Sequence, residues 1–293
     1  MEDRGKLKET LSTFIIANHI LAQHGIVDGF GHISVRNPDD PSRFFTTTGV
    51  SPALVSPSTI GEYTVEGAHP IPSNPGAPTL RLSPYSERFI HASLLARFPS
   101  VNAVIHSHSP IAVSFSVGNV PLRPVWHMAG FLEADGVRVW DIDEAYRAGQ
   151  ESGDDRVGEK HNLLVNNQRL GDSLAEAFAA PAGAREGAGE KGQGQGQGME
   201  TPRRQVVLQR GHGFAVVGRN LQEVVYRAVY TQENAKVLRD ALSMGGADAV
   251  RYLTHEEVRD CLEMADGSWS KAWPLWAKEA SVGALFQNQL SEG

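Results

Sequence analysis

Apolar and polar positions alternate along the chain in blocks of clearly different period. From Lys6 to Gln23, Leu7, Leu11, Phe14, Ile15, Ile20 and Leu21 recur at helical spacing, and His24-Gly25 fits the carboxyl end of that helix. Gly29 to Arg36 is a glycine-rich entry into a short alternating strand. Arg43 to Thr48 is a second strand closed by Gly49, so the two form a β-hairpin. Glu62 to Arg81 is rich in proline and glycine and reads as irregular, with one short strand at Gly61 to Val65. Ser86 to Phe98 is a helix with Phe89, Leu94, Leu95 and Phe98 inward, Ser86 as N-cap and Glu87 in the first turn. Val101 to Ile105 is an apolar strand that runs into His106-Ser-His108 and stops at Pro110.

Beyond it, Ile111 to Val117 reads as a short helix, and Pro124 to Gly130 and Gly136 to Asp141 as strand material. Asn162 to Asn167 is a weaker strand, and Arg169 to Ala180 a helix. Residues 181–204 form a low-complexity insertion with almost no apolar side chains; it cannot bury enough surface to offset its ordering entropy and is expected to be disordered. Gln205–Gln209 and Phe214–Gly218 then make a hairpin whose tip carries His212 between two glycines. Leu221 to Gly245 is a long helix. A helical tail, residues 246–293, holds a helix from Thr254 to Met264 and Trp269, Trp273 and Trp276 on one helical side, where packing is the expected role. The length fits one large domain with appendages or two small domains.

Composition narrows the function. The 293 residues are 41% hydrophobic and carry a net charge of -7 with no lysine- or arginine-rich block, which argues against a nucleic-acid partner. One cysteine leaves no intrachain disulfide and no multi-cysteine zinc module. The charged start does not read as a signal peptide, and no apolar run approaches the ~20 residues of a membrane helix. A soluble, cytoplasmic protein of a reducing compartment, without a membrane, is the expectation.

Strand alternation puts His106 and His108 on one face at a carboxyl end. Two such imidazoles are either half of a transition-metal site or surface histidines closing an edge strand. Glu87, in turn, is either a catalytic carboxylate or a first-turn acid favoured by the helix dipole.

In order, Gly31-His-Ile-Ser34, Thr48-Gly49, Ser86-Glu-Arg-Phe-Ile-His91, Ala103-Val-Ile-His-Ser-His-Ser109 and Gly211-His-Gly213 resemble the class II aldolase/adducin family. The resemblance spans roughly Leu7 to Leu242. It implies one α/β domain over residues 1–245, a three-layer α/β/α sandwich around a mostly antiparallel sheet, assembled as a homotetramer that acts on a small-molecule substrate. It also implies that His106, His108 and His212 bind one divalent ion, with Glu87 the acid/base. Zinc suits imidazole ligands best, and manganese, iron or cobalt fit the same set. Three protein ligands leave a position open, as in catalytic rather than structural sites.

The family's sugar-phosphate aldolases cradle phosphate with an asparagine after the first-strand glycine, the Thr-Gly turn, and two serines before the glutamate. Here those positions hold His32, Thr48-Gly49 and Tyr85-Ser86, so half the cradle is altered. The pattern looks closer to the branch that decarboxylates hydroxylated aromatic acids. That resemblance makes Ser34, Arg36, Thr48, Gly49 and Ser86 candidate substrate contacts, with His32 or Arg36 orienting the leaving carboxylate. His127 is a second candidate acid or a buried structural histidine, and His91, one turn after Glu87, is expected to pack or to hydrogen-bond behind the site. A metal-dependent carbon–carbon lyase leads, with decarboxylation ahead of aldol cleavage. A non-catalytic adducin-like scaffold is the reading of another class, and it would not need the histidines and the glutamate kept together.

Overall fold

A computed structural model describes residues 2–72, 85–153, 159–179 and 201–290. The expected disorder of the insertion therefore lies, for residues 181–200, outside the described residues. Within its last four residues the backbone N–H groups of Arg203 and Arg204 both donate to the Phe178 carbonyl, and the Arg204 guanidinium pairs with Glu133 at 3.0 Å. Arg203 and Arg204, at the end of the segment expected to be an insertion, are thus bonded into the fold.

Among the described residues, seven strands build one sheet: β1 (His32–Arg36), β2 (Arg43–Thr47), β3 (Ile60–Thr64), β4 (Ala103–Ser107), β5 (Val139–Trp140), β6 (Val206–Gln209) and β7 (Gly213–Gly218). Their order is β3-β2-β1-β4-β7-β6-β5. Every pairing is antiparallel except β5 with β6. The helices are α1 (Glu2–Gln23), α2 (Arg88–Arg97), α3 (Pro110–Val117), α4 (Ile142–Ser152), α5 (Gln168–Phe178), α6 (Leu221–Gly245), α7 (His255–Ala265) and α8 (Trp269–Ser281).

Alternation along the strands divides the interior into two cores. Ile33, Val35, Ile105, Phe214 and Val216 face α1, α3 and α6, while Phe44, Val104, Val207, Ala215 and Val217 face α2, α4 and α5. Helices on both faces of a mostly antiparallel sheet give the three-layer architecture expected from the sequence. Trp276 and Ala280 of α8 join the core of α1 and α6, with Trp269 and Trp273 packed beside them, so the tail tryptophans are packing residues. No helix among the described residues is long and apolar enough to cross a membrane.

Several local expectations give way to tertiary context. Pro124 to Gly130 is not a strand but an extended approach to a 3-10 turn at His127–Ala129, where the Val125 N–H donates to Asn234 on α6 instead of to a ladder. Of Gly136 to Asp141, only Val139 and Trp140 pair. Asn162 to Asn167 is a loop that ends with the Asn167 side chain capping α5 at the Leu170 N–H. Ser86 does not cap α2: Glu87 occupies that position, ahead of the first turn, and its carboxylate makes no capping bond.

Candidate metal centre

The register of three neighbouring strands assembles the site. His32 on β1 lies opposite His106 on β4, and Ser107 of β4 lies opposite Phe214 of β7. His108, just past the end of β4, therefore stands beside the tip of the β6–β7 hairpin that carries His212. The approach is extremely close. A Cβ on Gly213 would fall 1.9 Å from the Ser107 carbonyl oxygen, and φ there is +151°, so only glycine lets the tip lie against β4. The residue is a spacer set by backbone contact.

Glu87, His106, His108 and His212 offer ligand atoms that all lie within 4.8 Å of one another. His108 Nε2 and His212 Nε2 are 3.0 Å apart, and Glu87 oxygens lie 3.7, 3.8 and 3.6 Å from the Nε2 atoms of His106, His108 and His212. Two nitrogens each ~2.1 Å from a shared tetrahedral ion would stand about 3.4 Å apart, within the spread of these separations.

The tautomers also fit. His106 Nδ1 stands 3.2 Å from the Phe214 carbonyl oxygen, an acceptor only, so that nitrogen donates and leaves a lone pair on Nε2. His106 Nε2 is fully buried with no hydrogen-bond partner among the described residues. Burial, reinforced by His212, His32 and the other imidazoles, holds the His106 pKa well below the ordinary histidine value. Burial likewise lowers that of His212, partly opposed by the Glu87 carboxylate. A divalent ion requires lone pairs on its imidazole ligands, and the buried, unpartnered Nε2 of His106 beside the Nε2 atoms of His108 and His212 fits one.

Glu87 is aimed by the loop of residues 162–167. The Val165 N–H donates to its Oε1 at 3.1 Å. The same loop passes Leu163, a non-glycine residue at φ +66°. Such a conformation costs about 1 kcal/mol and is held by its surroundings. Only the tertiary path reveals Val165, because its contribution is a backbone amide.

Behind the cluster His32 is buried, with Nδ1 2.6 Å from His91 Nε2 and its ring 5.2 Å from that of His106. Burial pushes the His91 pKa down to about 3 and that of His32 well below normal. Ser34, one pleat along the same face, is buried. Tyr85 lies against the His32 ring at 4.9 Å and donates to the Val50 carbonyl, which ties the Thr48–Gly49 turn to this side of the site. Thr48 itself donates to the Thr59 carbonyl, and Ser86 is exposed.

Two candidates are not brought in. Arg36 lies at the far end of β1, where its guanidinium donates to the carbonyls of Pro41, Leu95 and Val101 and clamps backbone away from the cluster. His127 is exposed in the 3-10 turn, with its ring edge-on to Trp126, and so is neither a buried histidine nor part of the cluster.

With this geometry in place, comparison with known proteins gives consistent results. The family described as the class II aldolase and adducin N-terminal domain matches residues 13–238. The chain is similar to decarboxylase tropJ of Talaromyces stipitatus, 37% identical over 285 residues that cover 94% of this chain and 96% of that protein. It is also similar to 3,4-dihydroxyphthalate decarboxylase of Arthrobacter keyseri, 23% identical over 245 residues covering 79% and 78%. In fold it is similar to an L-fuculose 1-phosphate aldolase from Glaciozyma antarctica (TM-score 0.65, 16% identity, 95% and 90% covered). An aldolase II superfamily protein from Pseudomonas syringae gives a TM-score of 0.68 at 16% identity, covering 96% and 95%. The protein belongs to the class II aldolase and adducin N-terminal domain family.

Proposed function

We propose that the chain is a divalent-metal-dependent lyase that removes carbon dioxide from a hydroxylated aromatic or keto acid. The observation that carries this reading is the convergence of the His106, His108 and His212 imidazoles and Glu87 on one point, in a chain 37% identical to a protein named a decarboxylase. His106, His108 and His212 would hold the ion. When bound, a divalent ion there supplies Lewis acidity to a substrate oxygen and so favours charge that develops on it.

The protein's own groups do the rest. The Val165 N–H fixes Glu87 through Oε1, and Oε2 faces His106 and His108. From there the carboxyl group can deliver a proton to the carbon that loses carbon dioxide, or take one from a substrate hydroxyl. The Phe214 carbonyl orients the His106 ring through Nδ1, and His32, held by His91 and Tyr85, packs behind that ring as a positioning group. Ser34 and the Thr48–Gly49 turn line the same end of the sheet. Zinc is the ion we favour on ligand type, and cytoplasmic location and a homotetramer complete the proposal.

The experiment is direct. Protein loaded with one divalent ion is incubated with separate panels of hydroxylated aromatic acids and sugar phosphates while carbon dioxide and aldehydes are measured. Release of carbon dioxide from the aromatic acids, abolished by a chelator, is expected. Aldehyde release from a sugar phosphate without carbon dioxide would replace the reading with aldol cleavage.

A further inference from the structure

We infer that Phe30 is a specificity-determining residue whose ring receives the aromatic ring of the substrate at the mouth of the metal centre. Phe30 is 68% exposed, yet its ring is stacked on that of His108 at 6.3 Å with 28° between the planes. Leaving a phenylalanine in water forgoes a large apolar burial, so an exposed one on a mobile loop would carry little meaning. This loop is pinned. The Phe30 N–H donates to the Asp28 side chain at 2.8 Å, and the Asp28 N–H to the Phe30 carbonyl at 3.1 Å. The next residue, Gly31, has φ +81°, and a Cβ there would meet Val27 at 2.8 Å and the His106 carbonyl at 3.1 Å. The ring is therefore presented beside a candidate ligand by a loop held through the Asp28–Phe30 hydrogen bonds and the close packing of Gly31.

Leu163 and the 61%-exposed Val117 lie beside Gly211, the residue before His212, and add apolar surface at the hairpin tip. A site with polar donors at its centre and apolar side chains around it suits a flat ring bearing hydroxyl and carboxylate groups. An aromatic surface at this position offers no hydrogen bonds to a polyhydroxylated chain. The inference rests on the decarboxylase reading for its substrate class, and its test is separable from that reading.

Two probes with the same metal-chelating group, benzohydroxamate and acetohydroxamate, differ only in the ring. Their affinities for the full-length metal-loaded protein are measured by calorimetry in the wild type, Phe30→Ala and Phe30→Tyr. Loss of one aromatic stack weakens benzohydroxamate roughly two- to tenfold in Phe30→Ala, leaves acetohydroxamate unchanged, and is recovered in Phe30→Tyr. Equal effects on both probes, or none on either, overturn the inference. A change of sedimentation mass in Phe30→Ala also overturns it, since the ring would then be a subunit contact. If the ring effect appears while no hydroxylated acid releases carbon dioxide, the decarboxylase reading fails and the aromatic subsite stands.

Discussion

Replacing Gly213 by alanine tests how the metal centre is assembled without touching any ligand. The new Cβ would sit 1.9 Å from the Ser107 carbonyl oxygen, where ordinary contact begins at 3.4 Å, a shortfall of about 1.5 Å. The obstacle is backbone on a central strand, so the hairpin tip and not β4 must move. Crowding of this kind costs roughly 1–3 kcal/mol, and holding a non-glycine residue at φ +151° adds about 1–3 kcal/mol. His212 travels with the tip, whereas metal–ligand distances tolerate about 0.2 Å. The expected outcome is a fall in unfolding free energy of about 2–6 kcal/mol and at least ~100-fold weaker metal binding, beyond what loss of an outer-shell partner gives. Urea denaturation and metal titration of the same preparation measure both. Gly211→Ala is the control: φ is +67° but the nearest atom is Leu163 Cδ1 at 3.4 Å, so it should cost only about 1–2 kcal/mol and keep the ion. A Gly213→Ala protein with wild-type stability and metal content would refute the argument.

Further predictions follow from the same geometry. Glu87→Gln keeps the Val165 bond and the shape of the cleft, so it should retain the ion while the steady-state rate falls ~10²–10⁴-fold, the usual worth of a general acid/base. Full activity in that variant would remove Glu87 from the chemistry. His91 has a folded pKa of about 3 against 6.5 unfolded, so the unfolded chain binds more protons between those values. Stability is then complete above pH 6.5 and declines as pH falls toward 3, by about 1.4 kcal/mol per unit for this group. In chelator-treated protein, His91→Asn should flatten the change in urea midpoint between pH 7 and 5, and an unchanged slope would contradict the buried neutral state. Arg36→Met should lower stability through the lost Leu95 and Val101 carbonyl bonds by roughly 1–3 kcal/mol and leave turnover per folded molecule intact.

The elements with strong periodicity or sharp punctuation were legible from the chain: the core-facing stripe of α1, the β6–β7 hairpin, and α6. So were the four convergent side chains, though through ordered motifs that resemble a family. Spacing alone could not bring residues 106 and 212 together, since that depends on β4 pairing with β7. The failures share a cause. Pro124 to Gly130 has strand-type residues, but its hydrogen bonding is to Asn234 on a helix. Arg36 alternates in phase with His32, and period alone does not reveal that four residues of strand carry it ~13 Å away. Val165 contributes only its N–H, which no side-chain pattern encodes. Phe30 reads as an ordinary loop residue until His108 is placed beneath it.

The central claim is that imidazoles from β4 and from the β6–β7 tip share a single ion. Cobalt titration of the full-length protein, followed by its visible d–d absorption, tests this most directly in the wild type, His106→Ala and His212→Ala. One equivalent per chain is expected for the wild type, with the tight phase lost in each variant. A tight equivalent that survives in His212→Ala with an unchanged spectrum would contradict it.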